Sequence, residues 1–146
     1  MRWTPSSQWH VTLRFFGEID VDDGVVAGQG VAEAAKLATP AVAELGPAVA
    51  RLGRNVLQVP VSGLEALAQA LVDSSAGIGQ PPPPRPFSGH VTLARNRGKA
   101  PLDDVVGEAV SGRWTVDEIA LVASVSSGRS GVANSYDVVA TFPLEG

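Results

Sequence analysis

The chain holds two histidines, and each opens the same tetrapeptide: His10-Val11-Thr12-Leu13 and His90-Val91-Thr92-Leu93. Thr accounts for 6 of 146 residues. Both His residues would carry a Thr two positions on in roughly 0.2% of shuffled sequences, so the repeat is signal. Side chains alternate along a strand, so His and Thr of each copy share one face, about 6–7 Å apart, while Val and Leu share the other. Imidazole titrates near pH 6.5, so at neutral pH one ring can carry a proton while the other lacks it. Such a pair supplies a general acid and a general base, each worth roughly 10²–10⁴ in rate. The Thr hydroxyls can donate to the oxygens of an anion and stabilise charge as it develops. The fitting substrate is a compact anion with a leaving oxygen on one side and an attacking water on the other. A strained cyclic phosphodiester meets that description. A single strand His is more often structural than chemical; two matched copies reverse those odds.

Competing chemistries are weaker. Two His without Cys, and without a carboxylate at a ligand-like offset, make a poor zinc site, so neither a metal nor another cofactor is expected. The absence of Cys excludes disulfides and thiolate ligands. No Ser lies in a nucleophile-elbow context. Gly28-Gln29-Gly30 lacks the third Gly, the preceding strand and the Lys of a phosphate loop. The net charge is −4, against the strongly basic balance of a protein that coats nucleic acid. Any such contact is local, near Arg85, Arg95, Arg97 and Lys99 around the second motif.

The elements that must position these residues follow from pattern and punctuation. Trp9 to Phe16 reads as the first motif strand, bounded by Gly17, with Trp9, Val11, Leu13 and Phe15 on the core face and Arg14 continuing the His face. Asp20, Asp22 and Asp23 offer capping carboxylates to a helix running to about Ala38. Gly24, Gly28 and Gly30 each weaken that helix by about 1 kcal/mol. Ala41 to Leu45, Ala48 to Leu52 and Val56 to Val61 read as strands, and residues 64–76 as an amphipathic helix. Residues 77–86 hold five Pro and form a stiff connector. Phe87 to Arg95 is the second motif strand. A short helix is expected from Pro101 to about Val110, then strands at Trp114 to Val125 and Tyr136 to Phe142.

The motifs stand 80 residues apart (90 minus 10), each followed by a helix and a strand pair. The expected fold is α+β: two pseudo-symmetric lobes, each an antiparallel sheet with helices on its outer face, and an active-site cleft between them. At this length residues 1–146 make a single bilobal domain whose lobes are not independent. The N-terminus has no apolar signal region and no apolar run is long enough for a membrane helix, so a cytoplasmic protein with no membrane partner is expected.

At Trp9-His10-Val11-Thr12-Leu13-Arg14-Phe15-Phe16-Gly17-Glu18 and Pro86-Phe87-Ser88-Gly89-His90-Val91-Thr92-Leu93-Ala94-Arg95 the sequence resembles the two-histidine phosphoesterases. Within them it is similar to the LigT-like RNA 2′,3′-cyclic phosphodiesterases, also called 2′-5′ RNA ligases. Tyr136 to Leu144 resembles that family's last strand. The resemblance implies that His10 is the proton donor to the departing 3′-oxygen and His90 the proton acceptor that activates water. It implies that Thr12 and Thr92 bind phosphate oxygens and that Arg95 contacts the phosphate. Strict alternation sets Arg95 opposite His90, so its role requires a strand end or a bulge near Ala94. Phe15 matches a family aromatic beside the terminal base, although alternation assigns it to the core. Arg14 is a further candidate for substrate contact. The implied activity is metal-independent hydrolysis of RNA 2′,3′-cyclic phosphate ends to a 2′-phosphate, with RNA 3′ ends or cyclic nucleotides as partners. The alternatives are 2′-5′ ligation, another cyclic-nucleotide phosphodiesterase activity, or RNA-end binding without turnover. The family's first strand and helix precede the equivalent of Met1, so a monomer with an open sheet edge is expected.

Overall fold

The computed structural model describes residues 2–95, 104–125 and 135–146. Its elements are β1 (Arg2–Trp3), a 3-10 turn (Ser6–Gln8), α1 (Val21–Leu37), β2 (Ala41–Leu45), β3 (Ala50–Leu52), β4 (Val56–Ser62), α2 (Glu65–Ser74), β5 (Gly89–Arg95), β6 (Gly112–Val116), β7 (Glu118–Val125) and β8 (Ser135–Pro143). The class is α+β, with every strand pair antiparallel. One sheet runs β1-β5-β4-β2-β6, with β3 also on β4; the second is the β7–β8 hairpin.

Helix α1 starts where its carboxylates require. Asp20 Oδ1 accepts from the Asp23 N–H at 2.8 Å, and Asp22 and Asp23 fill the first turn. Anionic groups there face the partial positive charge of the helix start. Gly30 has a packing reason: a Cβ at this position would lie 2.5 Å from the Ser74 carbonyl oxygen at the end of α2. The glycine that weakens the helix locally is what lets the two helices approach. Their buried faces form a core of Val31, Ala34, Ala35, Leu67 and Leu71 with Ile119 and Leu144 of the hairpin region. The larger sheet buries Val49, Leu57, Val59 and Ala94 in one cluster, and Ala43, Val61 and Leu64 with Val11, Phe87 and Val91 in another.

Three expectations are corrected. The segment from Trp9 to Phe16 is not a continuous strand. Val11 makes a single antiparallel bridge to Val91, and the chain bends at Leu13. Alternation therefore fails beyond the bridge: Trp9 is 53% and Phe15 64% exposed, not in the core. The helix expected at 101–110 is absent from its described part, where residues 104–107 form a turn and Ala109 bridges Ala48; residues 101–103 lie outside the described residues. The run Trp114 to Val125 is two strands. It breaks at Asp117, whose carbonyl accepts from Leu144 N–H, so that β6 joins β2 while β7 joins β8. Asp117-Glu118 interrupts the alternation there, with apolar Trp114 and Val116 before it and Ile119 and Leu121, shifted by one position, after it.

Candidate active site

β5 is the strand that carries the second motif, and both of its edges are occupied. Along one edge β4 pairs Val59 with Val91, Pro60 with His90 and Gln58 with Thr92. Along the other, β1 pairs Arg2 with Arg95 and Trp3 with Ala94, Thr4 N–H donates to Leu93 O, and Val11 bridges Val91. The bridge brings the two motifs together. The antiparallel sense of the bridge directs His10 toward Thr92 and Thr12 toward His90. Val11 and Val91 face the core cluster, so the two His and two Thr face the other way. His10 and Thr12 are exposed, and His90 and Thr92 half-buried.

The two imidazoles are held alike. His10 Nδ1 lies 2.7 Å from Gln8 O, and His90 Nδ1 lies 3.1 Å from Ser88 O. A carbonyl oxygen only accepts, so each Nδ1 carries the hydrogen and donates it. Each Nε2 is left to exchange a proton with a ligand, the division of labour between ring nitrogens that acid–base chemistry uses. The same contact, two residues upstream, recurs in both copies. His10 is also braced by Tyr136 of β8, with ring centroids 5.2 Å apart and planes tilted by 56°.

Arg95 reaches the same face through a bulge. Between Gln58↔Thr92 and Leu57↔Ala94 the partner strand advances one residue while β5 advances two, leaving Leu93 as the extra residue. A bulge of this kind shifts the alternation by one. Ala94 turns inward against Leu57, both fully buried. Arg95 pairs with Val56, on the β4 face that also holds Gln58 and Pro60. The requirement set by strand parity is thus met, and Arg95 is exposed.

Arg14 goes elsewhere. Its guanidinium donates to Phe15 O (2.7 Å), Gln80 O (2.7 Å), Ile78 O (2.9 Å) and Ser75 Oγ (3.4 Å), and stacks 4.7 Å over the Phe16 ring. Burial pulls its pKa below the ordinary guanidinium value. Four of its five N–H donors are thus engaged within the chain, two of them by the connector carbonyls of Ile78 and Gln80. Phe15 stands exposed next to it, free of the core that alternation assigned it to.

Two residues on the site face escaped the sequence reading. Arg2 is the cross-strand partner of Arg95. Like charges directly opposed destabilise a strand pair, and a two-residue strand leaves no periodic signal. Gln58, opposite Thr92, is a polar residue inside β4, which is otherwise polar only at its last residue, Ser62; that interruption was its signal. Among the described residues, no group of three or more His, Asp or Glu side chains comes together. No helix there is long and apolar enough to cross a membrane.

Residues 3–127 match the family model of the 2′-5′ RNA ligase superfamily. Among solved structures, the chain is similar to TT0787 of Thermus thermophilus, with 25% identity over 99% of this chain and 82% of that one, at a TM-score of 0.83. It is also similar to E. coli LigT complexed with 3′-AMP, with 26% identity over 98% of this chain and 80% of that one, at a TM-score of 0.74. No curated protein sequence matches it. The family match spans most of the chain and both His-x-Thr copies, and the fold agrees throughout: the chain belongs to the 2′-5′ RNA ligase superfamily, as a LigT-like two-histidine phosphoesterase.

Proposed function

We propose that the chain hydrolyses RNA 2′,3′-cyclic phosphate ends to 2′-phosphates, by general acid and base catalysis without a metal. The observation that carries this reading is the Val11–Val91 bridge, through which His10, Thr12, His90 and Thr92 share one open face. His90 Nε2 takes a proton from water, whose oxygen attacks phosphorus. The bond from phosphorus to the 3′-oxygen breaks, and protonated His10 gives its Nε2 proton to that oxygen. Thr12, Thr92 and Arg95 hold the phosphate oxygens, where charge builds in the transition state. Exposed Phe15 offers a ring for the terminal base to stack on. The 3′-AMP complex of LigT supports a nucleotide terminus as ligand.

The family's description supports a second outcome on the same site. If a 5′-hydroxyl replaces water as nucleophile, the product is a 2′-5′ linkage. The test is turnover of a 2′,3′-cyclic nucleotide by the purified chain, with and without EDTA. His10→Ala and His90→Ala each lower kcat at least about 100-fold, and EDTA changes nothing. Unchanged turnover in both variants would sink the reading.

A further inference from the structure

Gln58 is 9% exposed, and its Oε1 has no hydrogen-bond partner among the described residues. A buried acceptor without a donor costs about 1–3 kcal/mol, and such a group calls for an explanation. Its strand neighbours leave it unsatisfied. Ala50 of β3 and Thr92 of β5 flank it, and Pro60, next along its face, is paired with His90. Ala50 and Pro60 have no side-chain donor. The Thr92 hydroxyl has one proton, which a bound phosphate claims. Phosphate oxygens only accept, so they cannot satisfy Oε1 either.

The attacking water can. It carries two protons, and His90 removes one. The other needs an acceptor close to His90, and Gln58 lies diagonally across the strand pair from His90 on the same face. A half-turn of the terminal amide exchanges its oxygen and nitrogen with little change of shape, so the acceptor reaches the open face without backbone movement.

We infer that Gln58 holds the second proton of the water that His90 activates, and so favours water over an alcohol as nucleophile. One water proton passes to His90 Nε2, the water oxygen bonds to phosphorus, and the 3′-oxygen leaves with the proton of His10. The proton held by Gln58 stays on the new phosphate oxygen. An alcohol has one hydroxyl proton, which goes to His90, and offers Gln58 nothing. Gln58 is a positioning residue that acts on the choice between hydrolysis and transfer. This rests on the phosphodiesterase reading above.

The test is a partition experiment. A 2′,3′-cyclic nucleotide is turned over in dilute aqueous methanol, and the 2′-monophosphate and its methyl ester are quantified from the same reaction. Gln58→Leu keeps the shape and loses the acceptor. Its hydrolysis falls about tenfold while methanolysis stays within about twofold, so the ratio moves about tenfold toward the ester. Gln58→Glu restores an acceptor and returns the ratio toward wild type, even where its charge raises KM. The ratio is independent of how much variant folds. A fall of both products together, or a Gln58→Leu ratio equal to wild type, overturns the role of Gln58 and leaves the phosphodiesterase reading standing. A wild-type chain that forms neither product overturns both.

Discussion

Arg14 is the residue for which a stabilising role and a substrate-binding role give opposite results. Its guanidinium makes three short hydrogen bonds to the carbonyls of Phe15, Ile78 and Gln80, and stacks on Phe16. The bonds to Phe15 and Gln80 are exposed and count for about 0.5 kcal/mol each; the half-buried, charged bond to Ile78 counts for about 1.5. The cation–π contact, between two half-buried side chains, adds about 0.5 kcal/mol. Fixing the Arg side chain costs about 2 kcal/mol of rotamer entropy. The net contribution is about 1 kcal/mol, rising toward 2 because removal also strands the half-buried Ile78 carbonyl. In a domain near 150 residues, Arg14→Met should lower Tm by roughly 3–8 °C. Arg14→Lys should recover little, since an ammonium cannot reproduce the fork that spans Ile78 and Gln80. The assays are thermal melting and, well below the melting temperature, kcat and KM on a 2′,3′-cyclic nucleotide. Both kinetic constants should stay within about twofold, because four of the five N–H donors are already engaged within the chain. An unchanged Tm with a KM raised tenfold would refute the reasoning and return Arg14 to the substrate.

Other outcomes follow from the same structure. Gly30→Ala should lower stability by about 1–3 kcal/mol by overpacking against Ser74 O, despite Ala being the better helix former; a urea titration of α1–α2 unfolding reads the sign. Asp20→Ala should cost about 1 kcal/mol through loss of the bond to Asp23 N–H, with kcat unaltered. Arg95→Ala should raise KM for a cyclic phosphate at least about tenfold, while removal of the bulge by deleting Leu93 should give the same loss even with Arg95 present. Because one imidazole must carry a proton and the other must not, kcat/KM should fall on both sides of a pH optimum, and each single His variant should lose one limb of that bell.

The parts legible in the sequence were those in which local pattern and tertiary need agree. The caps of α1, the apolar period of α2 and the strands β2, β4, β5 and β8 fall where pattern set them, within a residue or two. The paired His-x-Thr motif picked out two segments that the Val11–Val91 bridge brings side by side. Whatever depended on a partner strand was not legible. The course of Trp9 to Phe16 is set by one bridge to β5 and a bend at Leu13, so alternation misplaced Trp9 and Phe15. Arg14 carries charge in the right neighbourhood, and its commitment to Ile78 and Gln80 depends on the connector folding back across it. Arg2 and Gln58 are placed opposite Arg95 and Thr92 by register with β5, and only Gln58, as a polar interruption of β4, leaves any mark in the sequence.

The bridge between Val11 and Val91 also fixes when the site can exist during folding. It closes a loop of 80 residues (91 minus 11), at a conformational cost of about 4 kcal/mol beyond the constant for any closure. The helices α1 and α2 form from neighbouring residues, so far-ultraviolet dichroism should return early in refolding. His10 and His90 come together only when β5 has docked between β4 and the N-terminal segment. Regain of turnover should therefore lag regain of helix, and catalysis itself serves as the clock for the long-range docking of the N-terminal segment on β5.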